Sequence, residues 1–268
     1  MISTRKAAVK AWRLMCTPFN GKNITKTPPL FDNAYPVEFF VKKLKVKGFH
    51  FRPEEEVSNN KKILVCHGFD SYSYRFAKYV TSLLKAGFQV FAFDAPGHGF
   101  SDGKTINAFI YRDTILEIES LFGPFYGVIA HSLGALAASL AAEALKNPDK
   151  KLVLIAPATE VKTIFKNFFT TVPLTRKTRN AFDSLIHEKT GHPTEWFSVA
   201  RAVHHIPSSI LWIHDTDDRM CPYEDTLKIR QEELPNIRFI TTNGLGHTRV
   251  YLNKEVHDSV IDFFIQKK

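Results

Sequence analysis

The sequence predicts an α/β fold in which a mostly parallel, twisted sheet of about eight strands carries helices on both faces. Short, nearly continuous apolar runs recur along the chain, as expected of strands buried on both faces. Segments of helical length separate these runs, and a pair of strands with alternating polarity precedes them. The apolar runs cover residues 63–66, 90–93, 126–130, 152–155, 210–213 and 237–240.

The first two strands are predicted at residues 37–41 and 43–51. Lys45 and Lys47 flank Val46 there, an alternation typical of a half-exposed antiparallel edge. Beyond this edge, helices are predicted between the apolar runs, so that strand and helix alternate as in a parallel sheet covered on both faces. The helical segments span residues 74–86, 106–122, 133–145 and 223–233.

One gap breaks this alternation. Residues 157–206 contain no run of strand length but are rich in aromatic side chains, and a connection this long in a compact domain is usually a functional lid or disordered. We expect an inserted helical lid whose aromatics mostly form its own core, with one or two facing a ligand. We predict a basic N-terminal extension at 1–36, an α/β core at 37–156 and 207–268, and the lid at 157–206. The aromatics are Phe165, Phe168, Phe169, Phe182, Trp196 and Phe197.

Composition fits one large globular domain, with 268 residues of which 24% are charged and 44% hydrophobic. No apolar run is long enough to cross a membrane, and Lys10 and Arg13 interrupt the first residues before a signal-like stretch could form. We therefore expect a cytoplasmic protein without a transmembrane segment. The sequence makes no statement about the oligomeric state.

The net charge of +9 is concentrated near the N-terminus. Such a region could attract an acidic substrate, nucleic acid or an anionic membrane, but charge alone indicates solubility and non-specific attraction. A solvated surface is the simpler interpretation, and no nucleic-acid partner is expected. The basic residues before the first acidic one, Asp32, are Arg5, Lys6, Lys10, Arg13, Lys22 and Lys26.

The cysteines Cys16, Cys66 and Cys221 are widely spaced and form no C-x-x-C pair. This spacing argues against disulfides and a structural zinc site. The pair His204 and His205 has no partner at metal-ligand spacing, so no metal or cofactor is predicted.

The strongest chemical signal surrounds Ser132. A buried strand, residues 126–130, leads into Ser132, and an alanine-rich helix follows at once. A sharp strand-to-helix turn holds a serine in a strained conformation with its hydroxyl exposed, and it needs small neighbours such as Ala130 and Gly134. This stretch resembles the nucleophile elbow of α/β-hydrolases, with Ala130 in place of the first glycine of the family's G-x-S-x-G pattern.

His67-Gly68-Phe69 directly follows the strand at 63–66, where that family builds half of its oxyanion hole. The resemblance implies that the backbone N–H groups of Phe69 and Leu133 stabilise a tetrahedral oxyanion. For His67 itself we favour a role in fixing the loop by hydrogen bonds.

The strand at 90–93 ends in a turn that resembles the family's D-x-x-G-x-G-x-S sequence. Asp94 and Ser101 can hydrogen-bond the turn, so His98 is interpreted as part of the loop rather than as a base.

A serine nucleophile needs a base, and that base needs a carboxylate to orient it. The family's acid loop usually reads G-x-x-D-x-x-V-P. Aligning Pro222 with the proline places Asp218 on the acid, Cys221 on the valine and Asp215 on the glycine. Asp218 is the predicted acid, with Asp217 as its rival, and the effect of an aspartate at position 215 is left open.

Gly246-His247 follows the strand at 237–240 and is similar to the family's histidine loop. His247 is the histidine that comes after the acid in the order serine, aspartate, histidine, so it is the predicted base.

The resemblance as a whole implies a serine hydrolase that cleaves carboxylic esters, or related thioesters and amides, through an acyl-enzyme. The aromatic lid favours a small-molecule substrate with an apolar moiety. An acyltransferase, or a non-catalytic binding module on the same scaffold, remains the alternative.

Overall fold

A computed structural model describes residues 3–24 and 26–266. The predicted ranges 1–36 and 207–268 therefore include five positions, 1, 2, 25, 267 and 268, that lie outside the described residues.

The described residues form one eight-stranded sheet in the order β1-β2-β4-β3-β5-β6-β7-β8. Strand β2 pairs antiparallel with β1 and with β4, and every pairing from β4 to β8 is parallel. The strands are β1 (Tyr35–Val41), β2 (Leu44–Phe51), β3 (Lys62–Cys66), β4 (Gln89–Phe93), β5 (Gly127–His131), β6 (Lys151–Ile155), β7 (Ser209–Asp215) and β8 (Ile237–Thr242). The predicted α/β class, with an antiparallel pair at one edge, is confirmed.

Helices separate the parallel strands. The α-helices are α1 (Thr4–Met15), α2 (Ala77–Lys85), α3 (Ala108–Phe122), α4 (Leu133–Leu145), α5 (Val161–Thr171), α6 (Arg176–Thr190), α7 (Val199–Ala202), α8 (Leu227–Gln231), α9 (Gly246–Arg249) and α10 (Lys254–Ile265). No helix within the described ranges combines the length and apolar character needed to span a lipid bilayer.

The apolar runs are strands because the sheet is buried on both faces. In β5, Val128 and Ala130 join the hydrophobic cluster on one face, and Ile129 joins the cluster on the other. All three side chains are at most 4% exposed. Because successive residues of a strand point to opposite faces, a strand between two helical layers must be apolar at every position.

Three predicted helices begin later than the sequence suggests: the one predicted at 106–122 begins at Ala108, and two others begin with a different helical turn. Residues 74–86 and 223–233 each open with a short 3₁₀ turn, Ser73–Phe76 and Tyr223–Thr226, before the α-helix starts. Pro222, directly before the second turn, has no N–H to donate, which suits the start of a helical segment.

The N-terminal region contains a helix that the sequence analysis did not predict. Helix α1 buries Ala8 and Ala11 and lies against α6. The rings of Trp12 and Phe182 meet edge to face with centroids 5.7 Å apart. Helix α1 therefore packs onto the segment between β6 and β7, which holds α5, α6 and α7.

Candidate active site

Ser132 stands at the turn between β5 and α4. Its backbone angles, φ 54° and ψ −121°, lie in a region that a non-glycine residue rarely adopts. Such strain costs about 1–3 kcal/mol and persists only where the surroundings enforce it. Here the Ser132 N–H donates to Ile155 O, and its carbonyl accepts from the N–H groups of Ala135 and Leu136. The turn is thus held by both elements that it joins and by the neighbouring strand.

Two glycines let the chain approach this turn closely. A Cβ atom at Gly134 would lie 2.4 Å from the carbonyl oxygen of His67. A Cβ atom at Gly68 would lie 3.0 Å from Cβ of Ser132 and 2.8 Å from Nδ1 of His131. The loop after β3 therefore packs directly on the serine turn only because both positions lack a side chain.

The three residues predicted as a triad lie together. Ser132 Oγ is 2.9 Å from His247 Nε2, and His247 Nδ1 is 2.7 Å from Asp218 Oδ2. Ser132 is 8% exposed and the Asp218 side chain is fully buried. These distances fit a chain of hydrogen bonds from carboxylate to imidazole to hydroxyl.

Asp218 is arranged to stay ionised. Burial opposes its ionisation, but hydrogen bonding to His247 and to the Cys221 N–H outweighs that effect, so the pKa of Asp218 is lowered. Its Oδ1 accepts from the N–H groups of Met220 and Cys221 at 2.9 and 2.8 Å. A buried carboxylate held this way accepts a hydrogen bond from an imidazole N–H and fixes the tautomer.

His214 lies behind this carboxylate. Its Nε2 is 2.7 Å from the carbonyl oxygen of Cys221 and 3.6 Å from Asp218 Oδ2. Burial lowers the pKa of His214, so at neutral pH the imidazole is uncharged and donates Nε2–H to that carbonyl. His214 is therefore a neutral group beside Asp218, and its hydrogen bond to Cys221 O helps to hold the acid loop in place.

The rival aspartate lies elsewhere. Asp217 is exposed, and its Oδ2 accepts a hydrogen bond from Gly244 N–H at 3.1 Å. The structure thus brings Asp218, and not Asp217, to the ring of His247.

Asp215 fills the position left open in the sequence analysis. It is fully buried, and its Oδ1 accepts from the N–H groups of Asp217 and Gly246. Its Oδ2 accepts from Leu245 N–H and Thr242 Oγ1. This carboxylate therefore ties the acid loop to the loop that carries His247. The only signal in the sequence was the aspartate in place of the family's glycine.

The N–H groups of Phe69 and Leu133 flank Ser132, since Leu133 follows it in the chain and Gly68 packs against it. Within the described part of the chain, neither N–H donates to a protein acceptor. Unpaired backbone donors near a buried site are uncommon, and these two are available to a ligand.

The histidines of the neighbouring loops serve the scaffold. His67 Nδ1–H donates to Gly68 O at 2.8 Å, and its Nε2 accepts from Ala95 N–H at 2.9 Å. Burial lowers the pKa of His67 to about 4. His98, whose pKa burial lowers to about 3, contacts Pro96 O in the same turn. The expected loop-fixing role of His67 agrees with these bonds.

His131, the residue before the serine, supports His247 from behind. Its Nε2 lies 3.0 Å from the carbonyl oxygen of His247, and its ring packs against Tyr251 with centroids 4.7 Å apart. Burial, together with the nearby His247, lowers the pKa of His131 to about 3. The ring is therefore neutral and donates Nε2–H to that carbonyl. No role was predicted for this residue.

Cys221 also borders the site. Its buried side chain lies beside the Ser132 hydroxyl, and burial raises the pKa of its thiol. The group remains a protonated thiol at neutral pH, which is a weak nucleophile.

Phe69 and Leu133 are partly buried and pack against the large hydrophobic cluster on one face of the sheet. Side chains of α5 belong to or pack against the same cluster, namely Val161, Ile164, Phe165, Phe168 and Phe169. The residues on either side of the serine turn thus share an apolar core with the segment between β6 and β7.

The family described as "Serine aminopeptidase, S33" matches residues 58–198, more than half of the chain. An uncharacterized protein of Bacillus subtilis (strain 168), YqkD, is 22% identical over 262 residues, covering 91% of this chain and 80% of that protein.

Two similar solved structures share the fold. An esterase of Pyrococcus furiosus superposes with a TM-score of 0.66 at 19% identity, covering 92% of this chain and 97% of that one. Est1E of Butyrivibrio proteoclasticus, solved with ferulic acid bound, has a TM-score of 0.67 at 19% identity and covers 86% and 100%. At such identities the likeness concerns the fold alone.

Proposed function

The chain belongs to the α/β-hydrolase family described as serine aminopeptidase, and from that premise we propose that it is a serine hydrolase that cleaves carboxylic esters through an acyl-enzyme. The observation that carries the proposal is the alignment of Ser132 Oγ, His247 and Asp218 through contacts of 2.9 and 2.7 Å. The similar structure from Pyrococcus furiosus is named an esterase, which is consistent with an ester as the substrate class.

The chemistry follows from the roles of these atoms. Ser132 Oγ attacks the carbonyl carbon while His247 Nε2 takes its proton, and Asp218 stabilises the imidazolium that forms. The same imidazolium then protonates the leaving alcohol, which leaves an acyl group on Ser132. Water activated by His247 attacks that acyl group and releases the acid.

The N–H groups of Phe69 and Leu133 are the proposed oxyanion donors. Preorganised donors of this kind stabilise the charge on the carbonyl oxygen in the transition state, and loss of one typically costs about 100-fold in rate or more. Their lack of protein acceptors among the described residues supports this role.

An apolar acyl or alkyl moiety is the proposed specificity feature. The side chains of Phe168 and Ile164 pack against the same hydrophobic cluster as those of Phe69 and Leu133. We assign residues 157–206 the role of a lid over this group, on an α/β core at 37–156 and 207–268 preceded by the basic region at 1–36.

A panel of p-nitrophenyl esters of increasing acyl length, assayed with wild type and Ser132→Ala, tests the proposal. Turnover by wild type, its loss in Ser132→Ala and an optimum at a medium or long chain are expected. No turnover of any ester by a folded wild-type protein would contradict ester hydrolysis.

Amide hydrolysis is the second candidate, since the matching family is described as aminopeptidases. Aminoacyl p-nitroanilides in the same assay distinguish the two. A kcat/KM for an anilide above that of every ester would reassign the substrate class while leaving the roles of Ser132 and His247 in place.

A further inference from the structure

We propose that Cys221 and His247 form a binding site for a soft divalent metal ion such as Zn²⁺, and that an ion bound there blocks Ser132. The ion would be an inhibitor and not a cofactor. Binding is independent of the proposed function, whereas its inhibitory effect rests on that function.

Three side chains with candidate ligand atoms lie close together beside Ser132. One candidate ligand atom each from Asp218, Cys221 and His247 lies within 4.8 Å of the others. No second cluster of three such side chains is found in the described part of the chain. The Cys221 side chain also lies beside the Ser132 hydroxyl. A sulfur, an imidazole nitrogen and a hydroxyl oxygen thus surround one small volume.

The ring of His247 is held in one orientation by its hydrogen bonds. Its Nδ1 is bound to Asp218 Oδ2 at 2.7 Å, so Nε2, which lies 2.9 Å from Ser132 Oγ, is the ring nitrogen that can bind an ion. Metal-binding histidines usually donate the other ring N–H to a carboxylate, which fixes the ring and raises its basicity. The arrangement that makes His247 a base therefore also prepares it as a metal ligand.

Asp218 holds the ring of His247 in place and does not itself bind the ion. Its oxygens already accept from Met220 N–H, Cys221 N–H and His247 Nδ1–H. The direct ligands are Cys221 Sγ and His247 Nε2, with Ser132 Oγ and a water molecule completing four positions. Zinc favours tetrahedral sets with sulfur at about 2.3 Å and nitrogen at about 2.0 Å.

The ligand types determine which ions bind. Thiolate and imidazole select Zn²⁺ and similar soft ions, whereas Mg²⁺ and Ca²⁺ prefer oxygen ligands. On binding, the S–H proton of Cys221 is released to solvent and the thiolate bonds the metal. Ser132 Oγ and His247 Nε2 are then occupied, so that proton transfer between them stops.

The family's usual residue at position 221, valine, provides the test variant. Cys221→Val removes the sulfur, and Cys16→Val is the matched control because Cys16 is also buried but lies at the end of α1. Each protein is titrated with Zn²⁺, then treated with EDTA, and its ester hydrolysis is normalised to its own metal-free rate. Reversible inhibition of wild type and Cys16→Val is expected, with the half-inhibitory concentration raised roughly tenfold or more in Cys221→Val.

A binding readout separates this proposal from the proposed function. Cd²⁺ added to the full chain gives an ultraviolet thiolate-to-metal absorption only if a cysteine binds the ion. The band is expected in wild type and Cys16→Val but not in Cys221→Val, or in Cys221→Ser if the valine variant does not fold. A wild-type protein that shows this band but hydrolyses no ester would contradict ester hydrolysis and support the metal site. Absence of the band, or equal Zn²⁺ sensitivity of all variants, would overturn the metal site.

Discussion

Asp215 Oδ1 accepts a hydrogen bond from the N–H of Gly246 at 2.8 Å, directly before the histidine that faces Ser132. The same oxygen accepts from Asp217 N–H, directly before Asp218. This buried side chain therefore helps to fix the distance between the loop of Asp218 and the loop of His247, the proposed acid and base.

Asp215→Asn is expected to lower kcat roughly 10- to 100-fold with little change in KM. The amide loses one acceptor oxygen, and hydrogen bonds to charged groups contribute about 1.5–3 kcal/mol each. Steady-state ester hydrolysis checks the effect, and Asp217→Asn is the control because Asp217 is exposed. Equal kcat values for the two variants would show that Asp215 does not position His247.

Asp218→Asn is expected to lower kcat by about 10⁴, because an amide favours the wrong imidazole tautomer. Asp217→Ala should retain most of the activity, since its carboxylate bonds Gly244 N–H rather than the ring. The two variants are compared by kcat at saturating ester. The opposite ranking would move the acid to Asp217.

His131→Phe is expected to reduce kcat by up to roughly tenfold. The variant keeps an aromatic ring against Tyr251 but loses the N–H that reaches His247 O, and such a bond contributes about 0.5–1.5 kcal/mol. His131→Gln can replace that donor and should recover part of the loss. If His131→Phe and His131→Gln are equally impaired at the same KM, the hydrogen bond is not the cause.

Thermal stability is expected to decrease as pH falls from 7 to 5. The pKa values of His67, His98 and His131 are lowered by burial to about 4, 3 and 3, against about 6.5 in the unfolded chain. The unfolded state therefore binds more protons in this window, and protonation favours unfolding.

Tm measured at pH 7 and pH 5 checks this dependence in wild type and in His98→Asn, whose amide can still donate to Pro96 O. The variant should lose less stability between the two values than wild type does. An identical decrease in both proteins would mean that His98 does not contribute.

The sequence predicted the parallel core well because each strand and helix there carries its own signal. Helix α4 spans Leu133–Leu145, as predicted, since the strained serine before it and the alanines within it define its start and course. Helix α1 was not predicted because its buried face is small, consisting of Ala8 and Ala11. That face is recognisable only from its packing on α6, which lies more than 160 residues later in the chain.

The same limit applies around Ser132. The sequence motifs identified Ser132, His247 and Asp218, and the structure brings these three residues together. Asp215 could not be assigned from sequence because three of its four hydrogen-bond partners are backbone N–H groups, two of them at Leu245 and Gly246 in a distant loop. A hydrogen bond to a backbone N–H leaves no pattern in the side chains of the loop that donates it.

Covalent labelling by a fluorophosphonate, measured by intact mass and peptide mapping, tests whether Ser132 is an activated nucleophile. We expect one adduct per chain, on Ser132, that is absent in Ser132→Ala and forms much more slowly in His247→Ala. A wild-type protein that does not label while folded, or an adduct that persists on another residue in Ser132→Ala, would contradict an activated serine at this position.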